Sequence, residues 1–145
     1  MITPMKHLIA LILFLSISLT LVAQDISDSS PKPIAPYSKS KMSMGFVFIS
    51  GQIGINPVTN ELVKDDFRKE VKQVMNNIGA VLKENGMNFT NIVKCTVYLT
   101  DMGNYGLMND VYASFFNGNL PAREAVQVVK LPKGANIEIS AIAGP

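Results

Sequence analysis

Residues 65–99 read DDFRKEVKQVMNNIGAVLKENGMNFTNIVKCTVYL, and the hydrophobic period changes once along them. From Asp65 to Asn85 the apolar residues Phe67, Val71, Val74, Ile78 and Leu82 return every three or four positions, which places them on one face of a helix. Asp65 and Asp66 put negative charge where a helix N-terminus favours it, and Gly86 offers the left-handed residue that ends a helix. Arg68, Lys69, Lys72 and Lys83 fall off the apolar stripe and belong to a solvated face. From Ile92 to Leu99 the pattern turns β-branched and aromatic, with Val93, Val97 and Tyr98, so a strand follows the helix.

Working outward, Phe46-Val47-Phe48-Ile49 is a continuous apolar run ending at Ser50-Gly51, which predicts a strand covered on both faces. Asn56-Pro57-Val58-Thr59-Asn60 supplies turn chemistry before the helix. Strand, helix and returning strand predict a right-handed crossover. Asp101 is placed to cap a second helix whose buried stripe is Met108, Val111, Tyr112, Phe115 and Phe116, with Gly118 closing it. Arg123 to Lys130 and Ile137 to Ala143 read as two final strands joined through Leu131-Pro132-Lys133-Gly134. The sum is an α+β domain over residues 37–145, a mixed sheet with two helices on one face. Its apolar runs leave too few polar positions to solvate the other face, so self-association is expected to cover it.

The N-terminus has a different character. Lys6-His7 precedes an apolar stretch from Leu8 to Val22, and Leu21-Val22-Ala23 leads into polar Gln24-Asp25. Residues 1–23 read as a secretory signal peptide cleaved after Ala23; the alternative is an uncleaved membrane anchor. Without a cysteine after the apolar run, lipid attachment has no support there. Export to a periplasmic or extracellular space is expected either way, with no membrane contact once the signal is removed. Residues 24–36 contain Pro31, Pro33 and Pro36 among Ser and Asp and read as a polar, solvated linker.

Composition excludes several kinds of chemistry. The 145-residue chain is 48% hydrophobic, enough for one domain with its own core. Its formal charge is +2, with the lysines scattered among acids, so no basic stripe for nucleic acid is present. The one histidine, His7, lies in the expected signal, which leaves the mature domain no imidazole for triad or metal chemistry. The lone Cys95 sits in a β-branched run, as a buried inert thiol would, and one cysteine forms no disulfide within a chain. Asn88-Phe89-Thr90 matches a glycosylation acceptor, a triplet common by chance.

One of only two arginines, Arg123, opens the strand after Leu120-Pro121-Ala122, and Glu138 interrupts the last strand. A guanidinium presents a planar fork that matches a carboxylate two-to-two. With Glu138 expected on the neighbouring strand, the pair reads as a site for a small acid. The competing reading is an ion pair that is only structural, a poor stabiliser on its own account.

Taken in order, Ala35-Pro36-Tyr37, Ile49-Ser50-Gly51-Gln52-Ile53, Asn91-Ile92-Val93-Lys94, Asn109 with Tyr112-Ala113-Ser114-Phe115-Phe116, Pro121-Ala122-Arg123 and Ile137-Glu138-Ile139 resemble the RidA/YjgF family of reactive-intermediate (enamine/imine) deaminases. The resemblance runs from about Ile34 to the end. It implies a chorismate-mutase-like fold, a homotrimer with a barrel-like centre, and three clefts between subunits. It also implies hydrolysis of 2-imino acids, or enamine tautomers such as 2-aminoacrylate, to 2-oxo acids and ammonia, with neither cofactor nor metal. By the same resemblance Arg123 binds the substrate carboxylate, Glu138 orients the attacking water, and Tyr37, Gly51 and Asn109 line the cleft. Ala125 stands where many members have cysteine and would contribute backbone. Ser140 stands where many have a second acid. Three rivals stay open: a non-catalytic binder of small carboxylic acids, a holdase chaperone, and, ranked low, a ribonuclease.

Overall fold

The computed structural model describes residues 30–145. The expected signal, its cleavage site and the alternative anchor lie outside these residues. Five strands form one sheet: β1 (Ser40–Ser43), β2 (Phe46–Ile53), β3 (Ile92–Leu99), β4 (Ala122–Gln127) and β5 (Ile137–Ala143). Two helices, α1 (Phe67–Glu84) and α2 (Tyr105–Ala113), complete an α+β domain.

The helix ends follow from local chemistry. Asp66, not Asp65, caps α1, its carboxylate accepting from the Arg68 and Lys69 amides. At the other end Gly86 takes φ +72°, and the Met87 amide reaches back to the Leu82 carbonyl at 2.9 Å, closing a Schellman turn. Asp101 caps a 3-10 turn, Met102–Asn104, that leads into α2, which is shorter than the sequence stripe suggested. The chain turns after Ala113, yet Phe116 still reaches the core, packing on Tyr112 at 4.7 Å between ring centroids.

The sheet order is β1-β2-β5-β3-β4. Strand β5 runs antiparallel to both β2 and β3, so these two point the same way with β5 inserted between them. The α1 connection therefore skips one strand. The sequence reading placed Arg123's strand next to Glu138's; in the structure β4 pairs in parallel with β3 and is separated from β5 by it.

Both helices cover one face. Val71, Val74, Met75, Ile78, Val81 and Leu82 of α1 and Met108 and Tyr112 of α2 pack on Val47, Ile49, Cys95, Val97, Ile137 and Ile139. Each fully buried aliphatic side chain there contributes about 1.5–3 kcal/mol of transfer free energy. Within one chain Phe46 to Ile49 is covered on one side only. Val47 and Ile49 are buried, whereas Phe46 and Phe48 are 39% and 47% exposed on the side away from the helices. Phe48 pairs there with Ile142, which neighbours Lys94, and the face is left open in one chain.

Candidate active site

Two groups of functional side chains are assembled in different places. The first surrounds Glu138. Between Ile49 and Gln52 the β2–β5 register slips, so Ser50 and Gly51 form a bulge beside the glutamate. A Cβ added at Gly51 would fall onto the Glu138 carboxyl, within 2.6 Å of Cδ, so only glycine leaves the carboxylate its place over the bulged backbone. Asn77 of α1 steadies the end of β2, donating to the carbonyls of Ile53 (3.0 Å) and Ile55 (2.9 Å).

An open cavity of about 350 Å³ lies over Glu138, with walls from Ile34, Tyr37, Gly51, Ile53 and Pro132. Its outer wall belongs partly to the stretch expected as solvated linker. Residues 30–36 are irregular, but their start is tied down: Ser30 is buried and its hydroxyl donates to Glu84 Oε1 at 2.8 Å. Lys39 reaches the other Glu84 oxygen at 2.7 Å. The Ser50 hydroxyl donates to the Ser38 carbonyl at 2.7 Å, which brings Tyr37 alongside the bulge. Among the described residues no hydrogen bond or ion pair reaches the Glu138 carboxyl. Burial pushes its pKa above the ordinary carboxylate range, in keeping with a group that can both take and return a proton.

The second group surrounds Arg123, on the helix-covered side of the sheet. Its guanidinium carbon lies 4.7 Å from the Tyr112 ring centroid and 5.6 Å from that of Tyr105. One terminal nitrogen donates to the Tyr105 hydroxyl at 3.1 Å, and the other rests on Met108 Sδ at 3.7 Å. All of these partners are neutral. Among the described residues Arg123 has no carboxylate, so its charge is held in place without being neutralised. Asn109 lies on α2 one turn beyond Tyr105, and its buried Oδ1 has no hydrogen-bond partner among the described residues. Ala125 packs on the core two residues past Arg123, opposite Val97. Cys95 and Tyr112 face each other under Arg123, and burial drives the thiol and the phenol upward, leaving both neutral.

The sequence-derived residues thus fall into two sets: Tyr37, Gly51 and Glu138 in one, Asn109, Arg123 and Ala125 in the other. Arg123 stands opposite Cys95 and Glu138 opposite Tyr98 on the shared strand β3. That odd offset of three residues sends the two side chains to opposite faces of the sheet. Two strand spacings across and three residues along also separate their backbones by about 14 Å. An ion pair between them within one chain is excluded. Tyr105 was not singled out from sequence, although its spacing of seven from Tyr112 puts both on one side of a helix. Among the described residues no group of three or more His, Cys, Asp and Glu side chains could hold a metal ion, and no helix is long and apolar enough to cross a membrane.

Comparison with known proteins gives this arrangement a lineage. The family model described as "Endoribonuclease L-PSP" matches residues 27–144. The rat protein named 2-iminobutanoate/2-iminopropanoate deaminase is 44% identical over 125 residues, 86% of this chain and 91% of that one. The chain belongs to the RidA/YjgF (L-PSP) family. The RidA structure from an Antarctic Psychrobacter superposes with a TM-score of 0.78 at 36% identity, covering 81% of this chain and 95% of that one. Escherichia coli TdcF, whose structure has serine bound, superposes at 0.77 with 34% identity, covering 81% and 94%. The RidA-type fold, a five-stranded sheet with two helices, is therefore the fold of this chain.

Proposed function

We propose that this protein hydrolyses 2-imino acids, including those arising from enamines of the 2-aminoacrylate type, to 2-oxo acids and ammonia. The observation that carries the reading is the guanidinium of Arg123, boxed by two tyrosines and, among the described residues, left without a carboxylate. An uncompensated, oriented arginine is a receptor for a carboxylate supplied from outside. The name of the rat relative and the serine bound to TdcF agree with a small amino-acid-like ligand.

Because Arg123 and Glu138 leave opposite faces of one sheet, the site that uses both is built between two copies of the chain. The open face with Phe46 and Phe48 supplies apolar surface for that association, and a homotrimer is the assembly we propose. In each cleft Arg123 of one copy holds the substrate carboxylate, which fixes the adjacent imine carbon. Glu138 of the next copy takes a proton from water as the oxygen adds to that carbon. That proton passes to nitrogen, giving a carbinolamine; the hydroxyl proton then follows to nitrogen through the same carboxylate, the C–N bond breaks, and ammonia leaves as the C=O bond forms. An enamine first accepts a proton at its β-carbon. Asn109 Oδ1, buried and unpaired among the described residues, offers an acceptor to the imine N–H. No step calls on a cofactor. The expected export signal places this activity in the periplasm or outside the cell, where the physiological imine is to be sought.

The test uses the mature domain from Gln24 onward and 2-iminobutanoate generated in situ by an amino-acid oxidase, following release of 2-oxobutanoate. Acceleration by wild type and its loss in Arg123→Ala support the reading. Binding of 2-oxobutanoate without turnover would mark a carboxylic-acid binder instead. Suppression of aggregation that survives Arg123→Ala, with no turnover by wild type, would mark a holdase.

A further inference from the structure

We propose that Tyr105 is a positioning residue for Arg123, fixing its guanidinium as a receptor for the substrate carboxylate; this rests on the imine-hydrolase reading above. An arginine has five N–H donors and a long side chain that loses much rotational freedom when held in one place. Here two of the donors are committed, one to the Tyr105 hydroxyl at 3.1 Å and one to Met108 Sδ at 3.7 Å. The remaining N–H groups have no partner among the described residues, and a fork-to-fork carboxylate needs two.

The chemistry of the holding group matters. A carboxylate at this place would fix Arg123 equally well but cancel its charge and compete with substrate. A phenol accepts a hydrogen bond, stays neutral, and leaves the positive charge to the ligand. Tyr112 does not serve the same end. It is only 3% exposed, belongs to the core, and turns its hydroxyl toward Cys95, so it offers Arg123 a ring face alone. Tyr105 is 37% exposed and stands outside the core cluster. Among the described residues its one hydrogen bond with another side chain is the one from Arg123. Tyr112 thus supports the plane of the guanidinium, and Tyr105 sets its direction.

The experiment compares wild type, Y105F, R123K and the double variant in the full mature protein. Turnover of 2-iminobutanoate and binding of 2-oxobutanoate are both measured. Y105F keeps the ring and removes only the acceptor. Its KM, and the Kd for 2-oxobutanoate, should rise about tenfold, the low end for a hydrogen bond with a charged donor. Its kcat and thermal midpoint should stay at wild-type values. In the R123K background, where the fork is already gone, Y105F should add nothing. A Y105F variant with wild-type KM and Kd overturns the proposal, as does an equal Y105F effect in both backgrounds. If wild type neither turns over the imine nor binds the oxo acid, the hydrolase reading falls and this one with it; an active wild type with an unaffected Y105F removes the positioning role alone.

Discussion

Arg123 and Glu138 project from opposite faces of the same sheet, with strand β3 lying between the strands that carry them. Folding one chain cannot bring them to a common ligand. The fold does prepare each separately: a guanidinium held by neutral partners on one side, and a carboxyl seated over a glycine bulge on the other. Association of copies is the remaining route to a complete site, and the consequences below follow from it.

The open face should be the surface that associates. Phe48 is 47% exposed in the isolated chain and pairs across the sheet with Ile142. Phe48→Lys should bury an unpaired charge at any such contact and release monomers. Light scattering would show the smaller species and circular dichroism an unchanged helix content. An assembly of undiminished mass would place the interface elsewhere.

Gly51 is required by the glutamate. Gly51→Ala puts a methyl group onto the Glu138 carboxyl, so the side chain must move, although the backbone does not demand glycine by its φ angle. A displacement of the order of 1 Å at a catalytic base costs about a hundredfold in rate. We expect kcat/KM to fall by about that factor while the protein stays folded and keeps its oligomeric mass.

Glu138 should also report on its neighbour through pH. Burial raises its pKa in the single chain, so the folded state holds this proton more tightly than the unfolded chain. The group costs nothing at pH below the ordinary carboxylate value, and it weighs against folding as pH rises through the raised one. A guanidinium supplied by the next copy, as proposed above, would act in the opposite direction. Arg123→Ala should therefore move the Glu138 midpoint upward in a carboxyl NMR titration. In that background Glu138→Gln should raise the thermal midpoint at neutral pH and leave it unchanged in acid.

Glu70 underpins the approach to β5 from the core. It is fully buried, with Oε1 accepting from the Asn136 amide and Oε2 from the Asn136 side chain, both at 2.8 Å. Asn136 lies two residues before Glu138. Glu70→Ala strands both donors and opens a void, and should cost about 3 kcal/mol or more in denaturant unfolding.

Much of this was legible in the sequence because period and end chemistry are local. The stripe Val71, Val74, Ile78, Leu82 gave α1, and Gly86 marked its end. Hydrophobic runs located β2, β3 and β5. The order of strands was not legible, since nothing between Arg123 and Ile137 states that the chain, on leaving β4, passes over β3 so that β5 lies between β2 and β3. For that reason Arg123 and Glu138 looked adjacent. Strand β1 was missed because Ser40–Ser43 has little apolar character; it pairs with β2 through a turn in which Met44 and Gly45 both have positive φ. Residue chemistry pointed to Arg123 and Glu138, the family resemblance supplied Tyr37, Gly51, Asn109 and Ala125, and the structure adds what a string of residues lacks: two tyrosines around Arg123 and a bulge beneath Glu138.

The most direct test of a shared site is complementation between two inactive proteins. Arg123→Ala and Glu138→Gln variants are purified separately, unfolded together in equal amounts, refolded, and assayed for 2-oxobutanoate release from 2-iminobutanoate. If each site takes Arg123 from one copy and Glu138 from the next, about a quarter of the sites in randomly mixed assemblies carry both native residues. Activity should return to about that fraction of wild type, while each variant refolded alone stays inactive. Mixed oligomers of full mass that remain inactive would contradict a site built between copies.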